Sequence, residues 1–202
     1  MRVLVFSVPR FGRSRDKEYE QAATKLANGQ TREAIDLLRN ILSRRPDNKN
    51  ARISLAVALM QAQDSPDKDS PLTQEALQQL DTAAAMNPDD PVPYFNKGVL
   101  LRNVGLFEDA LRSFEIAVDM EDRMALAILH MAEINYELER WEKAIELARL
   151  ALVRDPGLEE SLGWVRVAMR KAGLLDDKGN VIVKPDTSTR DSAQSLNSDS
   201  LA

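Results

Sequence analysis

The chain has no cysteine, which excludes disulfides, thiolate metal ligands and cysteine nucleophiles together. Histidine occurs once, as His130. Without a second imidazole or a thiolate it builds no zinc site, and without a serine or carboxylate at fixed spacing it makes no general base. It reads as an ordinary groove or packing histidine. A glycine-rich phosphate loop, paired catalytic carboxylates and a nucleophile motif are all missing. The residues therefore argue against an enzyme and call for no cofactor and no metal. Glu133, Glu137 and Glu139 read as a solvated helix face paired with Arg140 and Lys143. Long apolar runs are lacking too: nothing approaches the roughly 18 residues of a membrane span. Aromatics are only 5% of the 202 residues, against 44% hydrophobic and 29% charged, a balance nearer to helical solenoids than to sandwiches or barrels.

An excess of basic charge is also absent. The net charge is −5 and the pI about 5.1, which does not suit a nucleic-acid partner. The charge is unevenly spread. Residues 1–15 hold Arg2, Arg10, Arg13 and Arg15 and no acid, residues 176–202 carry −2, and the stretch between them carries about −7. The opening run Val3-Leu4-Val5-Phe6 and then Ser7-Val8-Pro9 is shorter than the roughly 7–15 apolar residues of a secretory signal core, and no small-residue cleavage site follows. A cytoplasmic protein is the plain expectation. The four arginines without acids leave organellar import as a minor alternative.

What the chain does have is an internal repeat. Glu33-Ala34-Ile35 leads to Pro46, Glu75-Ala76-Leu77 to Pro88, Asp109-Ala110-Leu111 to Asp122 and Lys143-Ala144-Ile145 to Pro156, with 12 residues from alanine to terminator each time. These alanines are 42, 34 and 34 residues apart, while a second small series, Ala22, Ala56, Gly98 and Ala132, is spaced 34, 42 and 34. The two series disagree because eight extra residues sit between Ala56 and Ala76. Gly29, Gly105 and, less typically, Glu139 mark the turn inside each pair of helices, and each second helix ends near a terminator. Arg45-Pro46-Asp47-Asn48 and Asn87-Pro88-Asp89-Asp90-Pro91 supply turn and N-cap chemistry for the helix that follows.

This grammar resembles the tetratricopeptide repeat over nearly four-fifths of the chain. The resemblance implies an all-α, right-handed superhelical solenoid of antiparallel helix pairs. Repeats are expected at about 15–48, 49–90, 91–124 and 125–158, with a polar capping helix over 159–173, within a solenoid spanning 16–175. A basic and apolar arm (1–15) precedes it and a Ser/Asp-rich tail (176–202) follows. Leu38, Leu80 and Phe114 are expected to fill the layer between the helices of a pair, and Ala148 is undersized at that position. The insertion Gln63–Pro71 reads as an exposed loop between the two helices of the second repeat.

In this family the first helices line a concave surface that receives ligands. Carried over by position, the partner-binding groove consists of Tyr19, Ile53, Val57, Met60, Phe95, Asn96, Val99, Arg102, Leu129, His130, Tyr136 and Trp164. The clamp with which one subfamily holds the C-terminal carboxylate of heat-shock chaperones does not fit. Asn96 alone matches, while Ile53, Val57, Leu126 and His130 stand where Lys, Asn, Lys and Arg are needed. What remains is an apolar trough suited to an extended segment or an amphipathic helix. The same positions would be internal packing if the helical register slips by a residue.

The expected function is protein–protein interaction, as a scaffold, adaptor or assembly chaperone that binds a partner peptide or helix. The alternative is a structural subunit of a larger complex, with both termini as tethers. The segment Val3–Pro9 is itself a candidate ligand, for its own groove or for that of a neighbouring copy in a homo-oligomer.

Overall fold

The computed structural model describes residues 17–121 and 124–182. Eight helices follow one another in pairs: α1 (Lys17–Ala27) with α2 (Thr31–Arg44), α3 (Lys49–Gln61) with α4 (Pro71–Met86), α5 (Pro91–Asn103) with α6 (Phe107–Met120), and α7 (Ala125–Glu137) with α8 (Trp141–Arg154). Local chemistry sets these limits. Asn48 caps α3 by accepting from the Ala51 amide, and Asp90 caps α5 by accepting from the Val92 amide. Pro71 and Pro91 open α4 and α5, where a missing amide costs nothing.

One turn ends three of the first helices. Gly29, Gly105 and Glu139 have φ of 75°, 77° and 58°. The next residue in each case donates back five positions, Gln30 to Lys25, Leu106 to Leu101 and Arg140 to Asn135. In the second repeat the insertion replaces this turn. Gln63 holds it: its amide nitrogen donates to the Leu59 carbonyl, and its oxygen accepts from Ser70 Oγ at 2.7 Å.

The helices form two layers. Each packs on its predecessor, and the first helices also touch one another directly, α1 with α3, α3 with α5 and α5 with α7. They make the inner layer, and α2, α4, α6 and α8 the outer one. Small residues allow this approach: Ala22, Ala56 and Ala132 in the first helices, and Ala34, Ala76, Ala110 and Ala144 in the second, are all sealed from water. Large side chains such as Leu38, Leu80 and Phe114 fill the space between, and three core clusters run in series along the stack. The fold is thus the all-helical solenoid that the repeat implied.

The cap differs from the single helix expected over Glu159–Ala172. A 3-10 segment (Pro156–Leu162) leads through Gly163 and Trp164 into a short α9 (Val165–Lys171), which ends at Gly173 with φ 68°. Asp155 accepts from the Gly157 amide and starts the tighter winding. A turn then brings Leu175 opposite Val181. The N-terminal arm up to residue 16 and the tail from residue 183 lie outside the described residues.

Candidate partner-binding face

Helical spacing arranges the inner layer in rows that cross the stack. Tyr19, Ile53, Phe95 and Leu129 form one row, Ala23, Val57, Val99 and Glu133 a second, and Leu26, Met60, Arg102 and Tyr136 a third. The second and third rows change character along their length. They are apolar through α3 and become charged or amphipathic by α7.

The structure presents no open apolar trough in the described part. Nine of the twelve expected groove residues, Tyr19, Ile53, Val57, Met60, Phe95, Asn96, Val99, Leu129 and His130, are at most 9% exposed. Arg102, Tyr136 and Trp164 are half-buried. Tyr19, Ile53, Val57 and Met60 fall in one core cluster, Phe95 and Val99 in the next and Leu129 in the third. Tyr19 Oη lies 2.9 Å from Ser54 Oγ, and burial holds the Tyr19 phenol above its ordinary pKa although that hydrogen bond opposes the shift. Phe95 meets Phe114 edge-on at 5.8 Å between ring centres, and the Asn96 amide nitrogen donates to the Val92 carbonyl.

The polar end of the face centres on three residues. Arg102 Nη1 is 2.6 Å from Glu133 Oε2 and 2.9 Å from His130 Nδ1, and that same Nδ1 is 3.1 Å from Glu133 Oε2. Arginine can only donate and a carboxylate only accepts, so Nδ1 serves one neighbour at a time: as a lone pair toward Arg102 or as N–H toward Glu133. Burial alone would raise the Glu133 carboxyl. The His130 hydrogen bond and the Arg102 charge together outweigh it, and the group sits below the usual carboxylate range. The His130 ring stacks on Phe114 at 5.4 Å. Tyr136 lies 4.9 Å from Trp164 and 5.3 Å from Trp141, which carries the aromatic cluster toward the cap.

Glu133 therefore does not belong to the solvated face expected for it. The sequence signal was its place in a row beside Arg102, not its neighbours on α7. Arg140 pairs instead with Glu108, and Lys143 with Glu146. Among the described residues, Asn103 Nδ2, His130 Nε2 and Trp164 Nε1 are buried without a protein partner. All three come from elements of the inner layer or the cap, and the first and last can only donate.

A cleft of about 380 Å³ opens where the cap meets α8, lined by Ile145, Ala148, Leu152, Leu162, Val165 and Met169. It lies where Ala148 stands in place of a larger residue. Among the described residues, no cluster of His, Asp and Glu is placed to hold a metal ion, and no helix is long and apolar enough to cross a membrane.

The sequence pattern of the tetratricopeptide repeat matches residues 25–67 and 95–159. No curated protein sequence matches the chain. Solved structures share its fold. The PilF protein of Pseudomonas aeruginosa matches with a TM-score of 0.68 at 17% identity, over 79% of this chain and 69% of that one. MamA from Desulfovibrio magneticus RS-1 matches at 0.65 and 20%, over 78% and 85%. The thermophilic TPR protein TTC0263 of Thermus thermophilus matches at 0.63 and 21%, over 77% and 78%. The repeat period, the paired helices and two sequence matches that together take in more than half of the residues carry one conclusion: the chain belongs to the tetratricopeptide-repeat family.

Proposed function

We propose that this protein is a non-catalytic interaction module that takes an extended apolar segment of another polypeptide along its inner layer. Repeats of this family generally serve protein–protein interaction. The reading is supported by the apolar row that Ile53, Val57, Phe95 and Val99 form on the inner layer, and by two buried donors without a protein partner, Asn103 Nδ2 at the end of α5 and Trp164 Nε1 in the cap. An extended backbone offers carbonyl oxygens to such donors and side chains to an apolar row. Binding at micromolar strength requires about −8 kcal/mol. Two or three buried apolar anchors, each worth roughly 1.5–3 kcal/mol, supply the needed order of magnitude before association costs.

The test compares captured partners by mass spectrometry for the wild type, an Asn103→Ala/Tyr136→Ala variant and a Val153→Asp variant on the outer layer, where Val153 is 73% exposed. A partner lost with the inner-face variant and kept with the outer one supports the reading. The reverse pattern supports a second reading, a subunit built into a larger assembly through its outer layer. That alternative rests on a specific feature. Ile116 and Leu150 share one repeat position, Met86 and Met120 another, and all four are about 40% exposed on the second helices.

A further inference from the structure

Every residue of α3 from Ile53 to Met60 is buried. Eight consecutive residues span more than two helical turns, so the helix is enclosed on all sides. Its described neighbours are α2 and α4 behind it and α1 and α5 on its flanks. In a two-layer stack the fourth side of a first helix looks onto the concave surface. That side of α3 carries Ile53, Val57 and Met60, and Phe95 and Val99 extend the row on α5, all at most 3% exposed. This is an apolar surface built for a cover.

We propose that the cover is the chain's own N-terminal segment, residues 3–11, acting as an intramolecular plug on the face that would receive a partner. The inference rests on the proposed function of that face and adds its resident ligand. The composition fits. Val3, Leu4, Val5, Phe6, Val8 and Phe11 are apolar, and the four flanking arginines, with no acid among residues 1–15, complement a repeat region that carries about −7. The reach fits as well. Phe6 precedes Lys17 by 11 residues, about 36 Å of extended chain, whereas two steps between neighbouring helices are about 20 Å. A partner must then displace the plug, so its apparent affinity falls by the fraction of time the face is covered.

The natural lack of cysteine makes the test direct. Full-length chains carrying Phe6→Cys with either Val57→Cys or Val99→Cys are oxidised and compared with Phe6→Cys paired with Val153→Cys on the outer layer. The proposal expects an intrachain disulfide in at least one inner-face pair and none in the outer pair. A disulfide between two chains would overturn it in favour of exchange between copies, and absence of a bond from both inner pairs would overturn it outright.

A second measurement does not depend on oxidation. A fluorescent peptide of residues 1–16 is expected to bind a full-length Val5→Asp/Phe6→Asp chain about tenfold more tightly than the unaltered chain, as for a face covered nine-tenths of the time. Equal affinities would overturn the plug. If they are equal while inner-face variants still lose a captured partner, the interaction face stands and only its resident ligand is wrong.

Discussion

A β-carbon on Gly98 would stand 2.7 Å from Cε1 of Phe114, closer than non-bonded atoms approach. The same two positions recur in every repeat. Where Leu38 and Leu80 occupy the second, Ala22 and Ala56 occupy the first; where Phe114 does, the first is Gly98; Ala132 faces the register of Ala148. The combined size is held roughly level in three repeats and falls short in the fourth.

Gly98→Ala is expected to destabilise the protein by about 1–3 kcal/mol through overpacking, despite the better helix propensity of alanine. Urea unfolding measures it. Adding Phe114→Leu should restore most of the loss, because it recreates the pair used in the first two repeats. Equal loss in the double variant would place the strain elsewhere.

The deficit in the fourth repeat predicts the opposite sign. Ala148→Leu puts three more carbons into the cleft between α8 and the cap and should raise stability by about 0.5–2 kcal/mol. A fall in the urea midpoint would mean that the cleft closes in solution.

Glu139 adopts the left-handed backbone that Gly29 and Gly105 adopt at the equivalent turns. Glu139→Gly relieves a cost of about 1 kcal/mol and should raise the thermal midpoint, whereas the same substitution at the neighbouring helical residue Glu137 should lower it.

Glu133 ties stability to acidity. Its carboxyl is held below the ordinary range in the folded chain, so the folded state favours the ionised form relative to the unfolded one. That stabilisation is present above the unfolded value, about 4.3, and drains away as pH falls through the folded value. Wild type should therefore exceed Glu133→Gln in stability at pH 7, and the gap should narrow below about pH 4. Parallel pH profiles for the two chains would refute the coupling.

The stack was legible because its signals are short-range or strictly periodic. Small residues at matched spacings, Gly29 and Gly105 at the turns, and prolines at the helix ends each have a local steric cause. The fate of the inner face was not. Periodicity says which side of α3 carries Ile53, Val57 and Met60, but it cannot say whether that side meets water. Glu133 was misplaced for a related reason: its partner Arg102 is 31 residues away on the next inner helix, beyond the reach of same-helix pairing rules. The broken cap escaped because Leu162, Val165 and Met169 keep helical spacing across Gly163, although the backbone changes its winding there.

The insertion held by Gln63 lies at the tip between α3 and α4 and not between one pair and the next. Added length there falls within one helix pair, and the alanines of the second helices from there on, Ala76, Ala110 and Ala144, keep their 34-residue step. The exposed residues Asp64, Ser65, Asp67, Lys68 and Asp69 thus give the chain a port of its own, where a fluorophore or affinity tag can be seated between two helices of one pair.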